Sequence, residues 1–458
     1  MKQEHKTQHS LSRSLLSLSP ALLVIAMIIY AAVRQDPMYQ RPTVPSLAVT
    51  EAIEALPDST PTAKNSEEDP SLRSIELVLS DPFGRISPEF RVPKSLKRRV
   101  GFWFDIYTKY SKNHHVIHDS KYPWLVYEVV DTNPILDGPG HFWTRYHKAK
   151  KIVTARKQAI RKAIRSLSKR SNYRGLSKDE RLVYRLLRSV GGRRKQVFTQ
   201  ASSRVRSQLG QKDFFEEGLH HSGQFMPYMK QIFAEQGLPV ELTALPFVES
   251  SFNIEAESKV GASGIWQIMP SSAKETLIVK KQIDERNNPI KATEYAAFHL
   301  KRNYRLAKGN WALAILGYNH GIGSVRNAMR KLDTDNFVTI LNDYKARSFG
   351  FASKNFYPCF LAALHAYTYA EQIFPDVKTK SPLDISIAET DQATSLSEFA
   401  ENALLPVDIL LDLNPDMEHH ETVLPAGFRL VIPKQTEHLL RSTEHLTQRW
   451  NEIQATEI

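Results

Sequence analysis

The chain has 458 residues, more than one typical domain, so two or three folded units are expected. Its formal charge of +12 points to an acidic neighbour such as nucleic acid, anionic lipid or an acidic polymer. Cys359 is the only cysteine, which excludes an intramolecular disulfide and a Cys/His metal cluster, and we expect neither a metal nor a cofactor. It lies in the apolar run CFLAALHAY, which favours a small buried hydrophobe over a reactive thiol.

Residues 1–34 predict a cytoplasmic tail and a transmembrane anchor. The apolar run from Leu15 to Val33 is long enough to span a bilayer, and the basic residues before it favour a cytoplasmic N-terminus with the rest of the chain outside. A cleaved signal peptide is the alternative, since Ala31 and Ala32 are small. Tyr30 makes that cleavage site poor, so an uncleaved anchor is predicted.

Residues 35–74 are rich in Pro, Ser, Thr, Glu and Asp, which predicts a disordered linker. Residues 75–223 then form a basic region that we expect to be helical. In its segment HKAKKIVTARKQAIRKAIRSLSKR, an apolar stripe at helical spacing consists of Val153, Ile160, Ile164 and Leu167. The basic faces are either solvated or a surface for an anionic polymer or lipid head groups. Zinc-finger spacing and RNA-binding signatures are absent from the sequence, so nucleic acid is not expected as a partner.

Residues 224–376 hold the candidate catalytic domain. A helix over Phe225 to Gln236 is predicted to end at Gly237, and a second helix is predicted to begin at Pro239. In that second helix Leu242, Leu245 and Glu249 would share one face, which places a carboxylate on an apolar stripe.

Burial disfavours the charged form of a carboxylate, so a Glu in that position is expected to have a raised pKa. A carboxylic acid that stays protonated near neutral pH is what cleavage of a glycosidic bond needs. The alternative is an ordinary Glu at a helix end, capped by Ser250 or paired with an Arg.

The remaining helices of this domain have clear local signals. Residues 258–261 are expected to form a loop before a helix beginning near Gly264. Asn310 is a good N-cap for the helix in NWALAILGYN, which should end at Gly321. A last helix is predicted from Asn355 to Phe374.

Residues 382–433 change character and predict a small α+β module. ISIAE and FRLVIP are typical of strands, and they flank predicted helices at Leu396 to Ala403 and Val407 to Leu413. Residues 434–458 predict a polar helical tail.

Three segments together resemble the signatures of lytic transglycosylases: Glu249-Ser250, then GASGIWQIMP from Gly261 to Pro270, and Gly317-Tyr318-Asn319. The resemblance runs from about Leu238 to Ala370 and is closest to the membrane-bound lytic murein transglycosylase D type. It implies a mainly α protein, in which a lysozyme-like helical catalytic domain cleaves peptidoglycan glycan strands. It also implies a bacterial inner-membrane protein with its catalytic part in the periplasm, where partnership with other cell-wall enzymes is open.

The resemblance also assigns roles to single residues. It implies that Glu249 is catalytic, that the Tyr318 hydroxyl positions Glu249, and that the substrate-binding residues are Ser250, Ser258, Gln267, Met269, Tyr318 and Asn319. Two positions depart from the family pattern. Gly317 replaces a usual alanine, and Trp266 stands where methionine is frequent.

The C-terminal module resembles a LysM module, which binds glycans containing N-acetylglucosamine. The resemblance rests on Asp412 to Pro415 and on the closing Leu430 to Pro433. The usual opening Gly-Asp-Thr-Leu appears here as part of Gln392 to Leu396. Deleting Pro382 to Ile458 is therefore expected to lower binding to whole sacculi while leaving cleavage of short glycans nearly intact.

Most glycosidases need two carboxylates, and only Glu249 has a suitable context here. Glu255, Glu257, Asp284 and Glu285 lie in polar stretches and are expected to face solvent. In lytic transglycosylases, one Glu serves as acid and then as base while the substrate's own C6 hydroxyl attacks, which gives a 1,6-anhydromuramyl product. The alternatives are a catalytically weak peptidoglycan-binding scaffold and a hydrolytic muramidase.

Overall fold

The computed structural model describes residues 75–274 and 276–436. This part of the chain is mainly helical, as predicted. No helix in these two ranges is long and apolar enough to cross a membrane. The predicted span from Leu15 to Val33, the 35–74 linker and nearly all of the predicted C-terminal tail lie outside the described residues.

The N-terminal part, up to residue 223, combines helices with a small sheet. Its helices and strands are α1 (Ile75–Val78), α2 (Lys97–Thr108), β1 (His114–Asp119), β2 (Val126–Asp131), α3 (Asn133–Leu136), α4 (Phe142–Lys169), α5 (Lys178–Leu187), α6 (Arg194–Arg204), β3 (Val205–Leu209) and α7 (Lys212–Ser222). A single 3-10 turn at Pro88–Phe90 precedes α2.

The sheet has the antiparallel order β2-β1-β3 and was not predicted from the sequence. Its middle strand, β1, is histidine-rich and carries little sequence signal for a strand. In β2 the buried Tyr127 and Val130 lie among exposed or half-buried neighbours, so the half-buried strand pattern is short and irregular. Pairing of β1 with β2 on one side and with β3 on the other, rather than local preference, holds these residues extended.

Helix α4 has the predicted apolar stripe. Val153, Ile160, Ile164 and Leu167 are buried, in a hydrophobic cluster that also includes Ile117 of the sheet. The N-terminal part also reaches into the second, larger hydrophobic cluster of the molecule, because α2 packs along the helix at Phe351–Thr368. There the Arg99 guanidinium and the Trp103 indole N–H both donate to Oδ1 of Asn355, each at 3.0 Å.

The candidate catalytic domain, residues 224–376, is a set of helices around this larger cluster. Its elements are α8 (Met226–Glu235), a 3-10 helix (Val240–Ala244), α9 (Leu245–Glu249), α10 (Pro270–Ala273), a 3-10 turn (Glu285–Asn287), α11 (Pro289–Leu306), α12 (Trp311–His320), α13 (Ile322–Leu332), α14 (Phe337–Asp343), α15 (Phe351–Thr368) and α16 (Ala370–Ile373). Asn310 caps α12 by accepting from the Leu313 amide, and α12 ends at Gly321, as predicted. The last predicted helix begins earlier, at Phe351, and is interrupted at Tyr369. Cys359 is buried within α15, as predicted.

The C-terminal part forms the predicted α+β module. Its elements are β4 (Ile385–Glu389), β5 (Thr394–Ser395), α17 (Leu396–Asn402), α18 (Val407–Leu413), β6 (Val423–Leu424) and β7 (Arg429–Pro433), followed by a 3-10 turn (Lys434–Thr436). Strands β4 and β7 pair antiparallel along their whole length. Both predicted strands and both predicted helices are confirmed.

A buried ion network joins this module to the catalytic domain. The Lys291 ammonium at the start of α11 lies 2.8 Å from Asp416 of the module and 3.0 Å from Glu285, and it sits 3.7 Å above the Phe428 ring. The Asp416 carboxylate, which has no exposed surface, also accepts from the Asn288 amide at 3.0 Å. The module is therefore packed against residues 224–376 through charges that are almost entirely buried.

Candidate active site

Glu249 is the last residue of α9, and the segment before it departs from the prediction. Instead of one α-helix from Pro239, a 3-10 helix covers Val240–Ala244 and α9 begins at Leu245. Pro246 explains the break, because proline has no N–H to donate to the carbonyl of residue 242. Leu242 and Leu245 are nevertheless fully buried, so the apolar face beneath Glu249 is present.

The chain turns sharply after Glu249. Ser251 and Phe252 both adopt left-handed backbone conformations, with φ of 53° and 55°, which are unfavourable for residues other than glycine. The Phe252 ring is buried against Phe247 at 4.6 Å between centroids, and this packing holds the turn. The turn fixes the position of Glu249 at the helix end.

The Glu249 carboxyl is half-buried, and burial raises its pKa to about 8. Its negative charge in turn raises the pKa of Tyr318 and of Tyr107, both of which are raised mainly by their own burial. Within residues 75–274 and 276–436 the carboxyl has no hydrogen-bond or ion-pair partner. At neutral pH it is therefore mostly protonated and free to donate.

The segment from Ser258 to Met269 forms a compact loop, called here the 258–269 loop. A helix beginning at Gly264 was predicted and does not form, because Gly264 and Gln267 have left-handed φ values of 73° and 49°. Instead, Ser263 and Ile268 pair as an isolated antiparallel bridge, and the first helical residue is Pro270.

Hydroxyl groups on both sides of the site hold this loop by its backbone. Ser250 donates to the carbonyl of Ile265 at 2.9 Å, and Tyr318 donates to the carbonyl of Trp266 at 2.8 Å. The structure thus places Ser250, the neighbour of Glu249, and Tyr318 against the same loop. The Tyr318 hydroxyl bonds to the loop, however, and not to the Glu249 carboxyl.

The other predicted residues line the same region. Ser258 is buried and its hydroxyl accepts from the Ala262 amide at 2.8 Å, so it shapes the loop. Gln267 donates to the carbonyls of Ala256 and Gly264, both at 2.9 Å, while its Oε1 is buried without a partner. Asn319 Oδ1 is likewise buried without a partner, and Met269 is half-buried. Within the described residues, these two oxygen atoms therefore have no hydrogen-bond donor.

Sequence reasoning missed Arg286, which fixes the loop from the other side. Its guanidinium donates to the carbonyls of Gly261 and Ile268 at 2.5 and 3.0 Å, and it is held by Asp284 at 2.5 Å. Tyr107 of α2 was missed as well; burial raises its pKa, and the charges of Cys359 and Glu249 raise it further. Neither residue has a local signal, because both act through contacts with distant parts of the chain.

The four other candidate carboxylates differ in their surroundings. Glu255 and Glu257 are exposed, as predicted. The prediction is wrong for Glu285, which is 8% exposed and pairs with Lys291, and Asp284 is half-buried beside Arg286. Within the described residues, no group of three or more His, Cys, Asp or Glu is arranged to hold a metal ion.

Gly264 of the 258–269 loop lies directly against the backbone of Arg286. Replacing Gly264 tests this close approach. A Cβ at this position would lie 2.0 Å from the Arg286 backbone oxygen, whereas a Cβ at Gly261, also left-handed, would meet nothing nearer than 3.8 Å. Gly261→Ala is expected to cost about 1 to 2 kcal/mol from its backbone conformation alone. Gly264→Ala should cost more than about 4 kcal/mol, because backbone must move. Urea unfolding of both variants measures the difference, and equal losses would contradict this packing.

Comparison with known proteins places this site in a family. Residues 229–339, which include Glu249, the 258–269 loop and Tyr318, match the transglycosylase SLT domain. The chain therefore contains a transglycosylase SLT domain. A Cβ on Gly317, the glycine before Tyr318, would lie 2.9 Å from Cδ1 of Ile322 in α13, so an alanine here would require the end of that side chain to shift.

Among the relatives is membrane-bound lytic murein transglycosylase D of Escherichia coli strain K12, which is 35% identical over 108 residues, or 23% of this chain and 24% of that protein. A protein of Alteromonas sp. strain M-1 named for tributyltin chloride resistance is 34% identical over 110 residues, or 23% of this chain and 53% of that one. The matches thus span about a quarter and about half of these relatives.

A solved structure, the 70 kDa soluble lytic transglycosylase SLT70 of Escherichia coli, aligns with 66% of this chain and 52% of its own at 16% identity, with a TM-score of 0.29. A TM-score this low does not establish a common architecture over the aligned length.

Proposed function

We propose that this protein is a lytic transglycosylase that cleaves the β-1,4 bond between N-acetylmuramic acid and N-acetylglucosamine in peptidoglycan. The observation that carries the proposal is Glu249, a half-buried residue within the SLT domain. Burial raises the pKa of its carboxyl to about 8, and the carboxyl has no hydrogen-bond or ion-pair partner among residues 75–274 and 276–436. Such a group is a general acid at neutral pH.

In the first step Glu249 donates its proton to the bridging oxygen. The bond between that oxygen and C1 of the muramic acid breaks, and the N-acetylglucosamine side leaves with a new hydroxyl. Positive charge develops at C1 and is balanced by the newly formed Glu249 carboxylate.

In the second step the Glu249 carboxylate takes the proton of the C6 hydroxyl on the same muramic acid. The C6 oxygen attacks C1 and closes a 1,6-anhydro ring. The enzyme recovers its proton and no water is consumed. Attack within one sugar gains from proximity, so a second carboxylate is not required.

The neighbouring residues have supporting roles in this proposal. Ser250 and Tyr318 position the 258–269 loop beside Glu249 through the Ile265 and Trp266 carbonyls. The unsatisfied acceptors of Gln267 and Asn319 are suited to the amide N–H and hydroxyl groups of acetamido sugars. Ser258 shapes the loop, and Met269 offers apolar contact to a sugar face.

The likeness to a membrane-bound relative, together with the apolar run from Leu15 to Val33, supports a location at the bacterial inner membrane with the catalytic part in the periplasm. We also propose a glycan-binding role for the C-terminal module, on its LysM-like order of elements. A catalytically weak scaffold and a muramidase are the competing functions.

Mass spectrometry of sacculi digested by the full chain tests the proposal. The expected products carry 1,6-anhydromuramyl ends, lighter by one water than the reducing ends that a hydrolase leaves. Products with reducing ends would identify a muramidase, and binding to sacculi without any products would identify a scaffold. A parallel digest with Glu249→Gln controls for contaminating hydrolases.

A further inference from the structure

The positive charge of the protein is concentrated in one part of it. Between residues 141 and 206 there are twenty-one Lys and Arg against two Asp and Glu, whereas the whole chain has a formal charge of only +12. The rest of the chain is therefore net negative. Helix α4 alone carries ten Lys and Arg and no acidic residue. The positive charge of residues 141–206 attracts anions, whereas the net negative charge of the rest of the chain repels them.

The first turn of α4 carries a cluster of aromatic rings. Phe142 is 47% exposed and Trp143 is 48% exposed. The two ring centroids lie 5.4 Å apart, and Tyr146 completes the cluster at 6.2 Å from Phe142 and 6.0 Å from Trp143. We call Phe142, Trp143 and Tyr146 the aromatic tip.

The aromatic tip continues the buried stripe of the helix beyond the hydrophobic core. Phe142 and Ile160 are eighteen residues apart, which is five helical turns, so they lie on the same face of α4. Ile160 has no exposed surface, while Phe142 is about half exposed. The first turn of α4 therefore exposes to solvent the same apolar face that is buried at Ile160.

Basic residues follow the aromatic tip directly. Lys148, Lys150 and Lys151 are all exposed. Exposed apolar and aromatic rings beside lysines, on a helix without acids, are typical of helices that insert into the interface of a bilayer with anionic lipids. A sugar face can also stack on an exposed aromatic ring, so an anionic glycan is the competing ligand. The bilayer is favoured because the exposed Phe142 ring continues the apolar face that is buried at Ile160, as in amphipathic helices that lie in a membrane interface.

We propose that the aromatic tip of α4, with the lysines beside it, inserts into the interface of a bilayer that contains anionic lipids. The rings enter the boundary between head groups and acyl chains, and the lysines contact lipid phosphates. The sequence makes such a surface accessible, because the predicted span at Leu15 to Val33 is separated from residue 75 by some forty residues. A predicted linker of that length reaches roughly 35 Å. The catalytic site plays no part in this contact.

A fluorescent label beside the tip tests the proposal. Since Cys359 is buried, a cysteine introduced at the exposed Thr144 can be labelled selectively. The labelled full chain is reconstituted in vesicles of phosphatidylglycerol with phosphatidylcholine, or of phosphatidylcholine alone, each with spin-labelled lipid as quencher. Ser168→Cys, near the other end of α4 and roughly 36 Å away, is the matched control in the same chain.

The label at residue 144 is expected to be quenched strongly in vesicles with phosphatidylglycerol and weakly in phosphatidylcholine alone, with little quenching at residue 168 in either. Phe142→Ser with Trp143→Ser should reduce the quenching at residue 144 to the level at residue 168, while cleavage of soluble glycans stays at the wild-type rate. Equal quenching in both vesicle types, or quenching that survives the loss of both rings, would overturn the proposal. Weak quenching at residue 144 in both vesicle types, together with loss of binding to purified sacculi in the double variant, would also overturn it. The tip would then be a glycan site.

Discussion

Glu249→Gln is expected to lower the rate of glycan cleavage by at least about 10²- to 10⁴-fold, the usual contribution of general acid–base catalysis. Glutamine keeps the shape of the side chain but cannot donate a proton to the bridging oxygen. Affinity for glycan strands should be retained, since the rest of the site is unchanged. Release of muropeptides from purified sacculi measures the rate, and co-sedimentation measures the affinity.

The raised pKa gives this prediction a second readout. The acid form of Glu249 is required, so kcat/KM of the wild type should fall as the pH rises through about 8. A free-enzyme profile that stays flat from pH 7 to pH 9 would rule out Glu249 as the proton donor. Wild-type cleavage matched by Glu249→Gln would show that the site itself is wrong.

Stability should change over the same range of pH. The pKa of Glu249 is higher in the folded protein than in an unfolded chain, where it is about 4.3, so the folded state binds more protons between the two values. The contribution of Glu249 to stability is then fully present below about pH 4.3 and is lost as the pH rises through about 8. Glu249→Gln removes this dependence, so the variant should be the more stable protein at pH 9 in urea unfolding.

Asp416→Ala is expected to destabilise the protein by about 3 to 5 kcal/mol, the usual cost of removing one partner of a buried ion pair. Lys291 would keep only Glu285 as a counter-charge, and the Asn288 amide would lose its acceptor. Asp408→Ala is the matched control in the same module, because Asp408 is exposed and pairs only with His420 at the surface. Its effect should stay within about 0.5 kcal/mol.

Further variants separate lost charge pairing from lost packing. The double variant Lys291→Met with Asp416→Leu should recover part of the stability, because an apolar pair can replace a buried ion pair, although Glu285 then lacks its partner. Urea unfolding measures all of these variants. An Asp416→Ala protein as stable as Asp408→Ala would mean that the module does not pack on the catalytic domain as described.

The same network changes what is expected from deletion of the C-terminal module. The Asp284 amide donates to the Asp416 carbonyl at 2.8 Å, and Asp284 holds Arg286, which holds the 258–269 loop. Removing the module would release this chain of contacts and uncover Lys291. Cleavage of short glycans should therefore fall together with stability, whereas the sequence alone predicted that it would be nearly intact.

The family pattern indicated the site, yet only part of its geometry followed from the pattern. Ser250, next to Glu249, and Tyr318 both bond to the 258–269 loop, but the helix expected from Gly264 does not form. Glycine adopts left-handed and right-handed backbone conformations about equally well, so the residue type alone does not specify the left-handed φ found at Gly264. Its true constraint, the backbone oxygen of Arg286, lies 22 residues further along the chain, where no local pattern points back to it.

What the sequence determined by itself is local. The Asn310 cap, the end of α12 at Gly321 and the apolar stripe of α4 each depend on residues within a few turns of one helix, so they can be recognised from spacing alone. The tertiary structure decided what depends on distant partners. The Tyr318 hydroxyl meets Trp266 across 52 positions, and Lys291 meets Asp416 across 125. The raised pKa of Glu249 belongs to this second class, because the loss of water that raises it requires the surrounding elements to be packed in place.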